Sequence, residues 1–427
     1  MNFNDALKQA TLLVSAKLPD LKESVFVVRD LHGRIRLLLK KRRDSKSEFF
    51  PHIQRLITDL TQALGPYAYA ANDLVMYSEE LKSINLPADA SSTVLAENGG
   101  YKVCLHDRLL MGTEWNARPI VEATNPRRFT LFSMKGGVGR STTATILARH
   151  LAGKGKRVLV FDLDLESPGV GATLLGESLP RFGIVDWFVE DALGQGAGVL
   201  PDMVRDSGLA TGAGAIMVVP AFGSDTDDYL AKLGRTYLER GPNGHEPWPS
   251  RLRRMVEALE AQHCPDVVLL DSRTGLHDTS AALVLAMGAH TLMFAIDTPQ
   301  TWAAYGYLFR HWIHHPNISA FYDKLWVVGA VVPDTDIEPY VAGLRDRAWT
   351  LFDETLYAAP QVASRTGFSP PVVDEEAGNH YPRAIFWQRG LMAFNPLANW
   401  TDQFVTAAYQ KFLAWFDRVL LEEAEAP

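Results

Sequence analysis

A glycine-rich segment carries the clearest chemistry in the sequence. Residues 132–143 read FSMKGGVGRSTT, after a predicted strand and at the start of a helix predicted over residues 142–151. Glycines let successive backbone N–H groups turn toward a phosphate without a side-chain clash, and the helix N-terminus adds the positive end of its dipole. Ser141 supplies a hydroxyl of the kind that binds Mg²⁺ beside phosphates. The segment therefore predicts a nucleotide-phosphate loop. Its expected binding residues are Gly136, Gly137, Val138, Gly139, Arg140, Ser141 and Thr142.

Two acidic motifs follow, each at the end of an apolar run. Residues 158–166 read VLVFDLDLE, which places Asp162 and Asp164 at the end of a predicted strand. Residues 266–275 read DVVLLDSRTG, an apolar strand that ends at Asp271. A carboxylate at the end of such a strand reaches Mg²⁺ directly or through water in P-loop enzymes. The order and spacing of the three motifs indicate phosphoryl-transfer chemistry.

The three motifs together resemble the deviant Walker A group of P-loop ATPases, the SIMIBI class that contains ParA, MinD and the nitrogenase iron protein. The phosphate loop of this group reads K-G-G-x-G-K-[ST]. Residues 135–141 follow that pattern except at Arg140, which stands where the P-loop lysine belongs. The resemblance covers residues 130–332 well, and it implies ATP and Mg²⁺ as cofactors.

The resemblance also implies roles for single residues. Lys135 matches the signature lysine that reaches the nucleotide of a partner subunit in relatives, so it implies an ATP-dependent homodimer. Asp164 matches the residue that orients the attacking water, and Gly275 matches the switch glycine whose N–H meets the γ-phosphate. Residues 331–334 fall where relatives bind the base, often with an Asn that is absent here. The expected catalytic residues are Lys135, Asp164 and Asp271, and the expected metal-site residues are Ser141, Asp162 and Asp271.

Two arginines depart from the pattern of the relatives. Arg140 keeps the charge of the P-loop lysine, but a guanidinium is planar, longer and forked, so the exchange is not conservative. It either binds phosphate through its fork or turns away and leaves the charge to Lys135 and the backbone amides. Both arrangements favour slow hydrolysis. Arg273 stands where relatives have proline, and it is either a phosphate sensor or an exposed loop arginine.

Short apolar strands alternate with helices from residue 129 onward. This alternation is typical of an α/β fold with a doubly wound, mostly parallel sheet covered on both faces. Residues 224–250 are polar and predict a surface insertion, and residues 400–421 predict a packed terminal helix. The predicted strands cover residues 130–133, 157–162, 215–219, 266–271, 291–296 and 325–331.

Residues 1–124 predict a separate, small α+β domain, and residues 125–427 the ATPase domain. The first domain contains no nucleotide motif, so we expect it to recognise a partner protein. Its predicted elements are a hairpin of residues 24–29 and 34–39, a helix over residues 50–64, and strands near residues 74–77 and 101–105.

Composition restricts the class of protein. The chain of 427 residues is 47% hydrophobic and 22% charged, which is typical of globular proteins. A net charge of −8 disfavours a nucleic-acid partner, although residues 40–43 read KKRR. Two cysteines exclude a disulfide framework, and the N-terminus does not resemble a secretory signal, so we expect a cytoplasmic protein. No membrane partner is expected, because no apolar run is long enough to span and residues 422–425 read EEAE.

These features predict an ATP-binding, Mg²⁺-dependent ATPase that acts as a nucleotide-controlled dimerisation switch and regulates a partner. By analogy, the motif combination is similar to that of ParA-like ATPases in bacterial multi-gene systems, some of them antiviral. Two alternatives stay open at this point. One is a DNA- or plasmid-partitioning ATPase, and the other is a hydrolysis-deficient ATP-binding scaffold subunit.

Overall fold

A computed structural model describes residues 1–81, 93–241, 244–313, 318–365, 368–392 and 394–421. These residues divide into two compact units, one within Met1–Ala117 and one from Arg118 onward. Each unit has its own sheet and its own core.

The first unit is a five-stranded sheet with two helices. The strand order is β3-β2-β1-β5-β4, in which β1 and β2 form the predicted antiparallel hairpin and β5 lies parallel to β1. Val25 and Val27 face α1 and α2 in one core, whereas Phe26 and Val28 face the opposite side of the sheet. The elements are α1 (Phe3–Leu21), β1 (Val25–Arg29), β2 (Ile35–Leu39), α2 (Phe50–Leu64), β3 (Val75–Tyr77), β4 (Thr93–Asn98) and β5 (Tyr101–Asp107).

The second unit contains an eight-stranded sheet in the order β13-β12-β11-β6-β10-β7-β9-β8. All of its pairings are parallel except that of β8 with β9. Its elements up to residue 263 are β6 (Arg127–Ser133), α3 (Arg140–Gly153), β7 (Arg157–Leu163), α4 (Val170–Leu175), α5 (Ile184–Asp191), α6 (Gly196–Val199), β8 (Arg205–Asp206), β9 (Ala215–Val219), α7 (Tyr229–Thr236) and α8 (Trp248–His263). The later ones are β10 (Val267–Ser272), α9 (Asp278–Ala281), β11 (His290–Ala295), α10 (Pro299–Trp312), α11 (Ile318–Phe321), β12 (Leu325–Val332), α12 (Ile337–Phe352), α13 (Pro360–Ala363), β13 (Arg383–Phe386), α14 (Pro396–Asn399) and α15 (Asp402–Trp415).

Helices cover both faces of this sheet. Neighbouring strand residues point to opposite faces, so Val158 and Val160 pack with α3 and α15, whereas Leu159 and Phe161 pack with α5 and α8. The central strands are apolar on both faces for this reason, as a doubly wound fold requires. The fold class predicted from the alternation is confirmed.

The prediction of a surface insertion over residues 224–250 is wrong at the C-terminal end of the segment, where Trp248 and Pro249 are buried. Helix α7 and the start of α8 lie within it, and Trp248 is only 6% exposed because it stacks on Phe188 of α5. A few aromatic side chains therefore anchor a segment whose composition is polar. Residues 242–243 lie outside the described residues.

The predicted terminal helix is confirmed as α15, which buries Val405, Tyr409 and Phe412 against the sheet. Residues 422–425 lie outside the described residues. In the part of the chain that the structure describes, no helix is long and apolar enough to cross a membrane.

Candidate nucleotide-binding site

The glycine-rich segment joins the end of β6 at Ser133 to the start of α3 at Arg140. Gly137 and Gly139 have φ angles of +73° and +84°, in the left-handed region that side chains disfavour, so the turn needs glycine at both positions. Lys135 and Gly136 are exposed. The segment therefore has the strand–turn–helix geometry of a phosphate loop at the N-terminus of a 14-residue helix.

The hydroxyl of Ser141 meets the carboxylate of Asp271. Its Oγ donates a hydrogen bond to Oδ2 of Asp271 at 2.5 Å. Asp271 is fully buried near the end of β10, and its Oδ1 has no hydrogen-bond partner among the described residues. Burial raises the pKa of Asp271 to about 6, although the nearby Arg140 opposes the shift. The first and third motifs are thus in contact.

Asp162 lies beside Asp271 because the two residues are register partners of the paired strands β7 and β10. Its Oδ2 accepts hydrogen bonds from the backbone N–H groups of Gly169 and Gly171, at 3.0 and 2.9 Å. Burial and the neighbouring Asp271 raise the pKa of Asp162 to about 8. Asp162 therefore holds the loop that leads into α4, and its second oxygen is buried without a partner in the described part of the chain.

These oxygens fit Mg²⁺, which binds oxygen ligands and keeps waters and substrate phosphates in its shell. Ser141 and Asp271 would hold the ion, with Asp162 behind them. Within the described ranges, no group of three or more His, Cys, Asp or Glu side chains could hold a metal alone. A cation at this place would therefore depend on phosphate oxygens for the rest of its shell, as expected for Mg²⁺ bound with a nucleotide.

Arg140 lies among the carboxylates. Only 8% of the residue is exposed; its Nη1 donates to Oγ of Ser133 at 2.9 Å and its Nη2 to Oδ2 of Asp164 at 3.5 Å. Its Nε lies 3.8 Å from Oδ1 of Asp271. Of the two arrangements considered from sequence, this structure shows the guanidinium turned toward the acids.

The side chain of Asp164 is 13% exposed. Burial raises its pKa, and Arg140 opposes the shift. The next two residues are held by side chains that sequence reasoning missed. Tyr229 donates its hydroxyl to the carbonyl oxygen of Leu165 at 2.5 Å, and Tyr237 donates its hydroxyl to Glu166 at 2.7 Å. Both tyrosines belong to the segment that was expected to be a surface insertion.

The loop after β10 is fixed at two points. Arg273 pairs with Glu166 at 2.7 Å, which favours neither of its two sequence interpretations, since the side chain is neither free nor aimed at the phosphate loop. Gly275 has a φ angle of +81°, and its N–H donates to the carbonyl oxygen of Ser133 at 2.8 Å. That N–H can meet a γ-phosphate only after this bond breaks.

A 420 Å³ pocket adjoins the phosphate loop at Gly137, Gly139 and Thr142. Val331, from the segment expected to bind the base, lines the pocket with a φ angle of +54°, a strained conformation for a β-branched residue. The other wall residues were not predicted, because nothing in the local sequence around β13 indicated a pocket. They include Phe386, Trp387, Gln388 and Met392.

Comparisons with known proteins agree with this site. Residues 129–265 match the family model for the CobQ/CobB/MinD/ParA nucleotide-binding domain. The chain is 32% identical over 177 residues to the cytosolic Fe-S cluster assembly factor CFD1 of Chaetomium globosum, covering 40% of this chain and 51% of the relative. It is 30% identical over 181 residues to the chromosome partitioning protein ParA of Caulobacter vibrioides, covering 42% and 57%. The chain thus spans about half the length of the curated relatives it matches.

Solved structures with a similar arrangement include pNOB8 ParA and the cell division ATPase MinD of Pyrococcus furiosus. The first is 18% identical, with a TM-score of 0.44 over 70% of this chain and 99% of that chain. The second is 20% identical, with a TM-score of 0.33 over 49% and 73%. Residues 129–265, which contain the first two of the three motifs, are thus similar to the CobQ/CobB/MinD/ParA nucleotide-binding domain.

Proposed function

We propose that the chain is a cytoplasmic, ATP-binding, Mg²⁺-dependent ATPase that acts as a nucleotide-controlled dimerisation switch. The observation that carries this proposal is the contact of Ser141 with the buried Asp271 at the phosphate loop. Oδ1 of Asp271 and Oδ1 of Asp162 are buried there and have no hydrogen-bond partner among the described residues. Such oxygens are costly to bury unless a cation or a donor satisfies them. Mg²⁺ bound together with a nucleotide would supply that cation.

The proposed binding mode uses the loop amides and the adjoining pocket. The N–H groups at the start of α3 and of the glycine turn hold the phosphates, and the base enters the pocket between Val331 and Trp387. Ser141 and Asp271 would hold Mg²⁺, which would supply positive charge for phosphoryl transfer when bound. Asp164 then orients a water for in-line attack on the γ-phosphate, and its raised pKa suits a group that also accepts a proton.

The position of Arg140 supports slow turnover. The guanidinium lies within hydrogen-bond reach of Asp164, the group proposed to orient water, so the carboxylate must leave this partner to act. A positive charge that is shared between Asp164 and a phosphate stabilises the bound nucleotide as much as the transition state of hydrolysis. Such a charge favours a switch that keeps its nucleotide over an enzyme that hydrolyses it fast.

The switch is proposed to act on a partner protein. Residues 1–124 would recognise that partner, because the first unit has a core of its own and none of the nucleotide motifs. The partner would be a component of a bacterial multi-gene system, of which antiviral systems are one kind.

The test is Asp164→Ala in the full chain. Nucleotide affinity should stay within about twofold of the wild type, while hydrolysis falls by roughly 100-fold, the usual range for losing a positioned catalytic group. Asp227→Ala, at an exposed residue of the same unit, is the matched control. Isothermal titration with ATP and a phosphate-release assay measure the two quantities. Undiminished turnover would show that another group orients the water.

A partitioning ATPase is the second candidate, favoured by the similarity to the Caulobacter ParA. It predicts DNA binding that requires ATP and weakens steeply with salt. A hydrolysis-deficient scaffold is the third candidate, favoured by the contact of Arg140 with Asp164. It predicts binding of ATP without product in a single-turnover assay. The switch predicts product and no DNA binding.

A further inference from the structure

A second cleft lies in the same unit, on another side of β13 from the phosphate loop. It is about 620 Å³ in volume and is bounded by α12, β13 and α15. Apolar side chains including Val341, Phe386 and Trp415 line its walls. The lining also carries four basic side chains and two acidic ones, so its formal charge is positive. The charged residues are Glu338, Arg345, Glu376, Arg383, Lys411 and Arg418.

Arg383 is the unusual member of this lining. It is only 6% exposed, and its Nη atoms donate to the carbonyl oxygens of Tyr381 and Gly378. Its Nε is buried and has no hydrogen-bond partner among the residues that the structure describes. Its guanidinium lies 4.8 Å from the ring centroid of Trp415 and 5.8 Å from that of Trp326. Carbonyls and rings contact this cation, but they carry no negative charge.

Every other buried arginine in the described part of the chain has a carboxylate partner. Arg128 pairs with Glu260 at 2.6 Å, and Arg251 pairs with Asp191 at 2.9 Å. The other pairs are Arg29 with Asp107 and Arg140 with Asp164. For Arg383, the described residues include no acid within ion-pair distance, although the cleft contains two. Among the described residues, Arg383 is thus the one buried arginine without a carboxylate partner.

An unpaired buried cation destabilises a fold unless something compensates its charge. Burial lowers the pKa of Arg383 to about 10, which still leaves it protonated at neutral pH. The cleft is open to solvent and is large enough for a small organic molecule. An anion with an apolar body would compensate the charge of Arg383 and pack on the aromatic side chains that line the cleft.

We propose that this cleft binds an organic anion, a carboxylate or a phosphate monoester on an aromatic or branched apolar body. The anionic group contacts Arg383, with Lys411 and Arg418 adding positive charge at the mouth. The body of the ligand packs on Trp415 and Phe386. Phe386 also lines the pocket beside the phosphate loop, so the two sites share one wall.

The experiment measures binding to the full chain without nucleotide. Benzoate and phenyl phosphate are titrated by calorimetry, together with benzyl alcohol as the neutral analogue of the same shape. At least one anion should bind saturably and roughly tenfold more tightly than the alcohol, and Arg383→Met should remove roughly that tenfold advantage. Arg383→Lys keeps the charge and should retain most of the binding. Arg55→Met, at an exposed arginine of α2, is the control and should bind like the wild type.

One further variant keeps the test decisive if Arg383→Met does not fold, since Arg383 also donates hydrogen bonds to two carbonyl oxygens. Lys411 and Arg418 are exposed, so the double variant Lys411→Met/Arg418→Met should fold and weaken anion binding by roughly threefold or more. Equal affinities for the anions and the alcohol would overturn the proposal. So would anion binding that is unchanged in the double variant. Phenyl phosphate that is displaced by ATP and unaffected by the cleft variants would place the binding at the phosphate loop and also overturn it.

Discussion

Arg140 is the residue at which the phosphate loop departs from its relatives, and its contacts suggest what the departure does. The guanidinium bridges Ser133 and Asp164 and lies near Asp271. A lysine at this position has one point charge and a shorter reach, so it cannot hold the serine and the carboxylate together. Arg140 therefore links Asp164, the group proposed to orient water, to Ser133 at the end of β6.

Replacing Arg140 by lysine should release Asp164. We expect Arg140→Lys to bind ATP with near wild-type affinity and to raise basal hydrolysis by roughly three- to tenfold, which corresponds to the loss of one charge-assisted hydrogen bond. Arg140→Ala should weaken ATP binding. Phosphate release and calorimetry measure both effects, and Arg149→Lys on the same helix is the control. A clear fall in hydrolysis for Arg140→Lys would mean that the guanidinium has a catalytic geometry of its own.

At the residue scale, the sequence located the site through spacing alone. The motif residues meet because β6, β7 and β10 are adjacent parallel strands, so their carboxyl ends lie at one edge of the sheet. Tyr229, Tyr237 and Trp387 could not be located in the same way. They reach the site from α7 and from the end of β13, and no short motif encodes a contact made across 60 residues or more.

At the element scale, Tyr229 of α7 and Tyr237, which follows the helix, hold the loop that contains Asp164 through hydrogen bonds. Tyr237→Phe removes the hydroxyl that holds Glu166 and leaves the ring in place. We expect hydrolysis to fall by roughly two- to tenfold, as for one lost hydrogen bond that positions the loop, with ATP affinity little changed. The ratio of turnover to binding affinity separates this effect from general destabilisation. Tyr101→Phe in the first unit is the control. Equal losses of affinity and turnover would contradict a positioning role.

Burial of His290 in the eight-stranded sheet makes the free energy of unfolding depend on pH. The ring stacks on Phe129 and accepts a hydrogen bond at Nδ1 from Trp326 at 3.3 Å. Burial lowers the pKa of His290 from 6.5 to about 4. The unfolded chain therefore binds this proton more readily, so the stabilisation present above pH 6.5 is lost as pH falls toward 4.

His290→Gln keeps an acceptor for Trp326 and does not titrate. Between pH 7.5 and pH 5, the variant should lose less unfolding free energy than the wild type, by about 1 to 2 kcal/mol. Urea denaturation at the two pH values measures this difference, in which the other titrating groups cancel. Parallel pH profiles for the two proteins would show that His290 is not the source.

Helix α1 shows why one element was missed. Asn2 caps the helix through hydrogen bonds from Asn4 and Asp5, and Ala6, Ala10, Val14 and Leu18 are buried at a spacing of four residues. The periodicity was therefore present in the sequence, but alanine is a weak marker of a buried face. Strand β13 had no such signal, because four residues are too few for periodicity. By contrast, α2 was predicted to the residue, since four isoleucines and leucines mark its buried face.

At the scale of the whole molecule, the proposed dimer depends on Lys135. Its side chain is exposed, and the structure records no hydrogen bond or ion pair for its ammonium among the described residues. We expect the full chain to dimerise at micromolar concentration with Mg²⁺ and a non-hydrolysable ATP analogue, and Lys135→Ala to remain monomeric. Light scattering measures the mass, with Lys8→Ala as the control. A mass that does not change with nucleotide would remove the dimer from the proposed function.

The hydrogen bond from the N–H of Gly275 to the carbonyl oxygen of Ser133 sets a free-energy cost that nucleotide binding must exceed in the proposed switch. This bond joins the loop after β10 to the end of β6, the strand that precedes the phosphate loop. A γ-phosphate that takes the same N–H must outcompete that bond, whose net contribution is about 1 kcal/mol. A nucleoside diphosphate has no group to offer at this position. In the proposed switch, the triphosphate and the diphosphate would therefore differ in whether the N–H of Gly275 leaves the carbonyl oxygen of Ser133.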